Sequence, residues 1–151
     1  MNNDKQLNNV VDISDLSWPN SLKLPTKRFR LLLAADSLAT PVASISAFAA
    51  SALNAGMVYC CAWGKGCERL HDIVDQCVSE DALGARRFTG PSEHDVVMTT
   101  WHDDESLEEA LYFFAKCAVP TDGFTEDSDF RLVICVGHPE WSSTAKTYLN
   151  G

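Results

Sequence analysis

At 151 residues the chain has the length of one domain, and such a domain buries roughly 70% of the surface its unfolded chain would expose, so no metal or disulfide staple is required. The net charge of −9 is localised: residues 92–129 hold eleven carboxylates against one base, Lys116. Such a field argues against nucleic acid and anionic membranes as direct ligands and favours encounter with a basic partner, the plain alternative being a solvated, solubilising face. Six cysteines lie mostly within apolar runs, where a thiol behaves as a small hydrophobe, which points to a reducing compartment. The first residues show no apolar signal segment and no window reaches the ~18 apolar residues of a membrane span, so a cytoplasmic protein is expected.

Residues 1–28 are rich in asparagine, contain Pro19 and Pro25 and keep no period, and they read as an irregular N-terminal arm before a single α/β domain over 29–151. Val10, Val11, Ile13, Leu16 and Trp18 could anchor that arm. Phe29 to Ala35 reads Phe-Arg-Leu-Leu-Leu-Ala-Ala, an apolar segment but for Arg30, as expected of a strand covered on both faces. Thr40-Pro41 then opens a helix, Thr40 as cap and proline at the first helical position, with Ile45, Phe48, Ala49, Ala52 and Leu53 as its buried stripe and Gly56 as its left-handed stop. Met57 to Trp63 is a second strand, and Cys67 to Val78 a second helix with Leu70, Ile73 and Val74 inward.

A long polar connection over 79–95, containing Gly84, Arg86, Arg87 and Gly90, leads to a third strand that stops at Trp101. After a turn rich in carboxylates, Ser106 followed three residues later by Glu109 has the spacing of a capping box. Leu107, Ala110, Leu111 and Phe114 continue at helical spacing. Beyond an acidic loop, Phe130 to Val136 is a fourth strand, and 140–149 a short last helix held by Trp141 and Leu149.

Apolar strands alternating with helices imply parallel pairing through right-handed crossovers. The expected fold is therefore a three-layer α/β/α sandwich on a parallel sheet of about four strands, flavodoxin-like or Rossmann-like, in the order 2-1-3-4 counted from Phe29.

In such a sheet every strand ends at one edge, where open α/β folds place their ligands. That edge would collect Asp36, the turn Gly64-Lys65-Gly66, Trp63, Cys67, the segment Trp101-His102-Asp103-Asp104-Glu105, His138 and Trp141. Cys67, at a helix start and two residues after Lys65, could pair with His102 or His138, with Asp103 as orienter, in nucleophilic catalysis. Its plain role is to begin a buried stripe. Gly64-Lys65-Gly66 resembles a phosphate-binding turn only loosely, since neither GxGxxG nor GxxxxGK[ST] occurs. No close Cys or His pairing supports a metal site, and no cofactor is implied. His71 and Asp75, four apart on one helix, suit a surface pair.

Two functions fit. The first is a small acidic binding or regulatory module, comparable in composition to inhibitor or immunity proteins, whose 101–116 turn and helix engage a basic protein through Trp101, Asp103, Asp104, Glu105 and Glu108, with Trp63 and Trp141 as further aromatic anchors. The absence of a complete catalytic set weighs toward it. The second is an enzyme or a small-ligand or nucleotide sensor, using Cys67, His102, Asp103 and His138 around a pocket floored by Asp36, Gly64, Lys65 and Gly66. A subunit whose aromatics are covered only in an assembly is a third alternative.

Overall fold

The structure, a computed structural model, describes residues 7–83, 91–92 and 94–150. Gly84, Arg86, Arg87 and Gly90 of the expected connection lie outside the described residues. Five strands, β1 (Asn8–Ile13), β2 (Phe29–Ala34), β3 (Met57–Trp63), β4 (Met98–Trp101) and β5 (Phe130–Val136), form one sheet in the order β1-β5-β2-β3-β4, and every pairing is parallel. Four helices, α1 (Val42–Ala55), α2 (Cys67–Leu83), α3 (Leu107–Lys116) and α4 (Pro139–Asn150), complete the expected three-layer α/β/α fold.

Alternation along the central strands builds two cores. Leu31, Leu33, Cys60, Ala62, Leu132 and Ile134 point to α1 and α2, while Leu32, Ala34, Tyr59, Cys61, Val133 and Cys135 point to α3 and α4. Strands buried on both faces need apolar side chains at both parities, which is why β2 and β5 read as apolar runs after Arg30 and Arg131 near their starts.

Two expectations require correction. The sheet has five strands, because Asn8–Ile13 of the supposed irregular arm pairs with β5, and Leu16, Trp18, Leu22 and Leu24 of the following segment pack on the α1 side of the core. Trp18 lies against Phe29 and Phe48, with ring centroids 5.9 and 5.6 Å apart. Counted from Phe29, the order is 4-1-2-3 and not 2-1-3-4. Burial explains it: β5 is covered along nearly its whole length and needs a central place, whereas β4 is short, exposes Met98 and Trp101, and suits an edge.

Local signals fared differently. The capping box forms as expected, Glu109 N–H donating to Ser106 Oγ (3.1 Å) and Ser106 N–H to the Glu109 carboxylate (2.8 Å). Gly56 ends α1 at φ 113°, with backbone of Lys27 and Arg28 where a Cβ would lie. At the other end of α1, however, Pro41 occupies the cap position and no side chain, Thr40 included, caps the helix.

The N-terminal edge of the sheet is internally closed. Asp95 is buried and accepts from Thr121 Oγ1 (2.8 Å), Gly123 N–H (2.7 Å) and Ser92 N–H (3.0 Å). The hydrogen bond from Thr121, with those from Gly123 and Ser92, outweighs burial and holds this carboxyl below its ordinary range. Arg30, also buried, donates to the carbonyls of Ser128 and Ala118 (3.0 Å each) and faces Asp129 at 3.6 Å.

Ser106→Ala should cost about 1 kcal/mol in chemical denaturation, and an unchanged midpoint would contradict the cap. Because the Asp95 carboxyl is lowered on folding, its contribution to stability is complete above its unfolded pKa of about 3.9 and fades as pH falls through the folded value. Asp95→Asn should therefore melt below the wild type at pH 7, and the gap should narrow on acidification below about pH 4; a gap that widens in acid would reverse the sign.

Candidate functional site

The order β1-β5-β2-β3-β4 puts a topological switch between β5 and β2: the chain leaves β2 for α1 on one face and β5 for α4 on the other. Open α/β sheets bind their ligands outside the strand ends at such a point. Here an open cleft of about 520 Å³ occupies it, lined by Ser14 to Ser17 after β1, by Asp36 after β2, by Thr40, Pro41 and Ser44 at the start of α1, and by Gly137 and His138 after β5.

The β2–α1 loop at this cleft is held from α2. Ser37 is fully buried, its N–H donating to Lys65 C=O (2.9 Å) and its hydroxyl to Gly66 C=O (3.1 Å). Arg69 donates to the carbonyls of Ser37 (2.7 Å) and Thr40 (2.8 Å). Gly64, at φ 116°, passes so close to β2 that a Cβ would collide with the Ala35 carbonyl. The glycines of Gly64-Lys65-Gly66 thus allow close packing, and the Lys65 and Cys67 N–H groups donate to Asp36 Oδ1 (3.2 Å) and Gly64 C=O (3.1 Å). These donors already have partners, which weakens the turn as a phosphate cradle.

From Asp36 a chain of contacts crosses the edge. His138 Nε2 lies 3.3 Å from Asp36 Oδ2 and Nδ1 lies 3.2 Å from Glu140 Oε2, so both ring nitrogens face carboxylates. The ring stacks on Trp141 at 3.9 Å, and Trp141 meets Trp63 edge-on at 5.0 Å. The Trp63 indole donates to Glu105 C=O (2.8 Å). The Glu105 carboxylate is 3.2 Å from His102 Nδ1, and His102 Nε2 is 3.0 Å from Thr100 Oγ1. His102 is buried, its ring beside Phe113.

The four candidates for catalysis therefore share an edge without forming one constellation. His102 and His138 belong to separate hydrogen-bonded groups with the Trp63–Trp141 pair between them. Cys67 is buried with Leu70 and Val74 in the α1–α2 core. Burial pushes its thiol pKa up and outweighs the nearby His102 backbone group that lowers it, while Asp103 adds to the rise. The thiolate expected from Lys65 and the helix start is thus disfavoured. Asp103 and Asp104 are exposed, Asp104 in the left-handed region at φ 58°. Among the described residues no group of three or more His, Cys, Asp or Glu side chains is placed to hold a metal ion.

Trp101 stands apart from the other two tryptophans. It is 44% exposed on edge strand β4 and packs against His71 of α2, ring centroids 4.6 Å apart. The expected His71–Asp75 pair does not form: His71 Nδ1 is 2.9 Å from Asp72 Oδ1 in the same helix, and Asp75 instead accepts from Thr99 Oγ1 (3.1 Å) of β4, which lies alongside α2. Of the anchors suggested by sequence, Trp63 and Trp141 are half-buried against each other, whereas Trp101, Asp103, Asp104 and Glu108 face solvent. Sequence reasoning missed the exposed Met98 of β4 and Tyr112 of α3, 37% and 58% exposed. Tyr112 could have been found, since it falls off the Leu107–Phe114 stripe.

Fold and edge together define a doubly wound α/β domain with a switch-point cleft and a separate aromatic and acidic surface at β4. Residues 11–150 match a family described as Domain of unknown function (DUF7684), and the chain belongs to it. The match begins within β1, so the second half of that strand lies inside the family's unit. No curated protein and no solved structure matches the chain.

All six cysteines are free, and five are buried or half-buried. Burial raises Cys61 to about 12 and Cys135 to about 11. Alkylation at pH 7.5 with peptide mapping should label the exposed Cys117 first and spare Cys60, Cys61, Cys67 and Cys135. Labelling of Cys67 as fast as Cys117 would restore it as a nucleophile.

Proposed function

We propose that this protein is a small acidic binding module that engages a basic protein through β4, the Trp101–Glu105 turn and the outer face of α3. The observation that carries this reading is the exposure of Trp101 beside carboxylates of two elements, Asp72 and Asp75 of α2, whose partners His71 and Thr99 adjoin it, and Asp103 and Asp104 of the turn that follows it, with Glu108 also exposed at the start of α3. Solvent-facing tryptophan is expensive to leave uncovered and is the residue type that most often anchors an interface. Carboxylates around such an anchor set the sign of the partner and speed its approach. Unpaired cysteines accord with the cytoplasm as the compartment, and nucleic acid is disfavoured as a direct ligand by the field.

A second reading, a small-ligand sensor, is favoured by the cleft at the switch point with Asp36 and His138 in its wall. Catalysis is the weaker form of it. With both ring nitrogens of His102 and of His138 facing partners and Cys67 buried, none of these candidates offers a free base beside a nucleophile.

A partner captured from native extract and purified supplies the test. Reversing Asp103, Asp104 and Glu108 to lysine should slow its association about tenfold or more at low ionic strength and flatten the salt dependence, leaving dissociation less affected. An association rate indifferent to the three reversals would remove the electrostatic argument.

A further inference from the structure

We infer that β4 is a docking edge that takes an added strand from the basic partner, extending the five-stranded sheet to six. This rests on the reading of the acidic surface as a partner site and names how the partner is held. β4 pairs with β3 on one side, and no strand among the described residues pairs with its other side. The His102 N–H donates to Ala62 C=O, so by the two-residue alternation of a strand it is Thr99 and Trp101 that turn their N–H and C=O groups to the open side. A row of unpaired main-chain groups is a template for another chain, and peptide recognition by strand addition uses such an edge.

The side chains at this edge select the occupant. Thr99 is fixed by its bond to Asp75, and Trp101 lies on the α2 side over His71, so an added strand would meet a rigid and partly apolar rim. Beyond its ends and on the α2 side stand Asp72, Asp75, Asp103 and Asp104. A second copy of this chain, pairing β4 with β4, would set those carboxylates against their equivalents, which like-charge repulsion opposes. An extended segment carrying lysine or arginine at alternate positions instead brings cations to them. The same acids that protect the edge against self-association thus admit a basic strand.

The test uses an eight-residue peptide of alternating lysine and valine, the same peptide N-methylated at every residue, and the full-length protein. Calorimetric titration at low salt should show the plain peptide binding the wild type, and N-methylation weakening it about tenfold or more through the loss of two main-chain hydrogen bonds. Thr99→Pro, which removes an outward N–H while leaving the β3 ladder intact, should weaken the plain peptide similarly, and Thr99→Ala should change binding less than about threefold. Where Thr99→Pro does not fold, the peptide comparison stands alone. Equal affinity of plain and methylated peptides, or no binding of the plain peptide, overturns strand addition. In the first case a loss of binding in the Asp103, Asp104 and Glu108 reversal variant leaves the acidic surface standing, and indifference to that reversal sinks both.

Discussion

The interaction on which everything else depends is the double burial of β2, β3 and β5. Leu31, Leu32, Leu33, Cys61, Leu132, Val133 and Ile134 have no exposed surface, and they alternate between two cores. Side chains buried on both faces of a strand require helices on both faces of the sheet, and helices joining successive strands require those strands to run parallel. Parallel strands deliver every βα turn to one edge. The neighbourhood of Asp36, His138, Trp141, Trp63, Glu105 and His102, drawn from four separate turns, is therefore a consequence of core packing before it is a consequence of function.

The two edges are used differently. At the N-terminal edge, buried Asp95 and Arg30 have hydrogen-bonding partners within the chain, an arrangement that fixes loops and leaves little for a ligand. The C-terminal edge divides in two. Around β5 and β2 lies an open cleft whose histidine is flanked by carboxylates, and around β4 lie exposed aromatic, apolar and acidic residues. The Trp63–Trp141 contact separates them, packing the centre of the edge so that each half presents its own chemistry.

Much of this was legible in the sequence wherever a residue's role is set by its neighbours in the chain. The β3 and β5 spans, the Ser106–Glu109 capping box and the Gly56 stop are local matters, and the apolar runs declared the sheet parallel. What depends on distant partners was hidden. Asn8–Ile13 is a strand only because the edge of β5 is there to receive it, and the alternatives 2-1-3-4 and 4-1-2-3 obey the same handedness rule. A closer weighing of MTTW against FRLVICV would have put the former at the edge. Cys67 and Lys65 are near in sequence, yet burial decides the thiol's state, and only the packed core reveals burial.

The claim that partner binding belongs to β4 and not to the cleft is tested most directly by amide NMR of the labelled protein titrated with its purified basic partner. The account predicts that the resonances of Thr99, Trp101, Asp103 and Asp104 shift or broaden while those of Asp36, Gly137 and His138 stay in place. Perturbation confined to Asp36, Gly137 and His138, with β4 silent, would contradict it and transfer the function to the cleft.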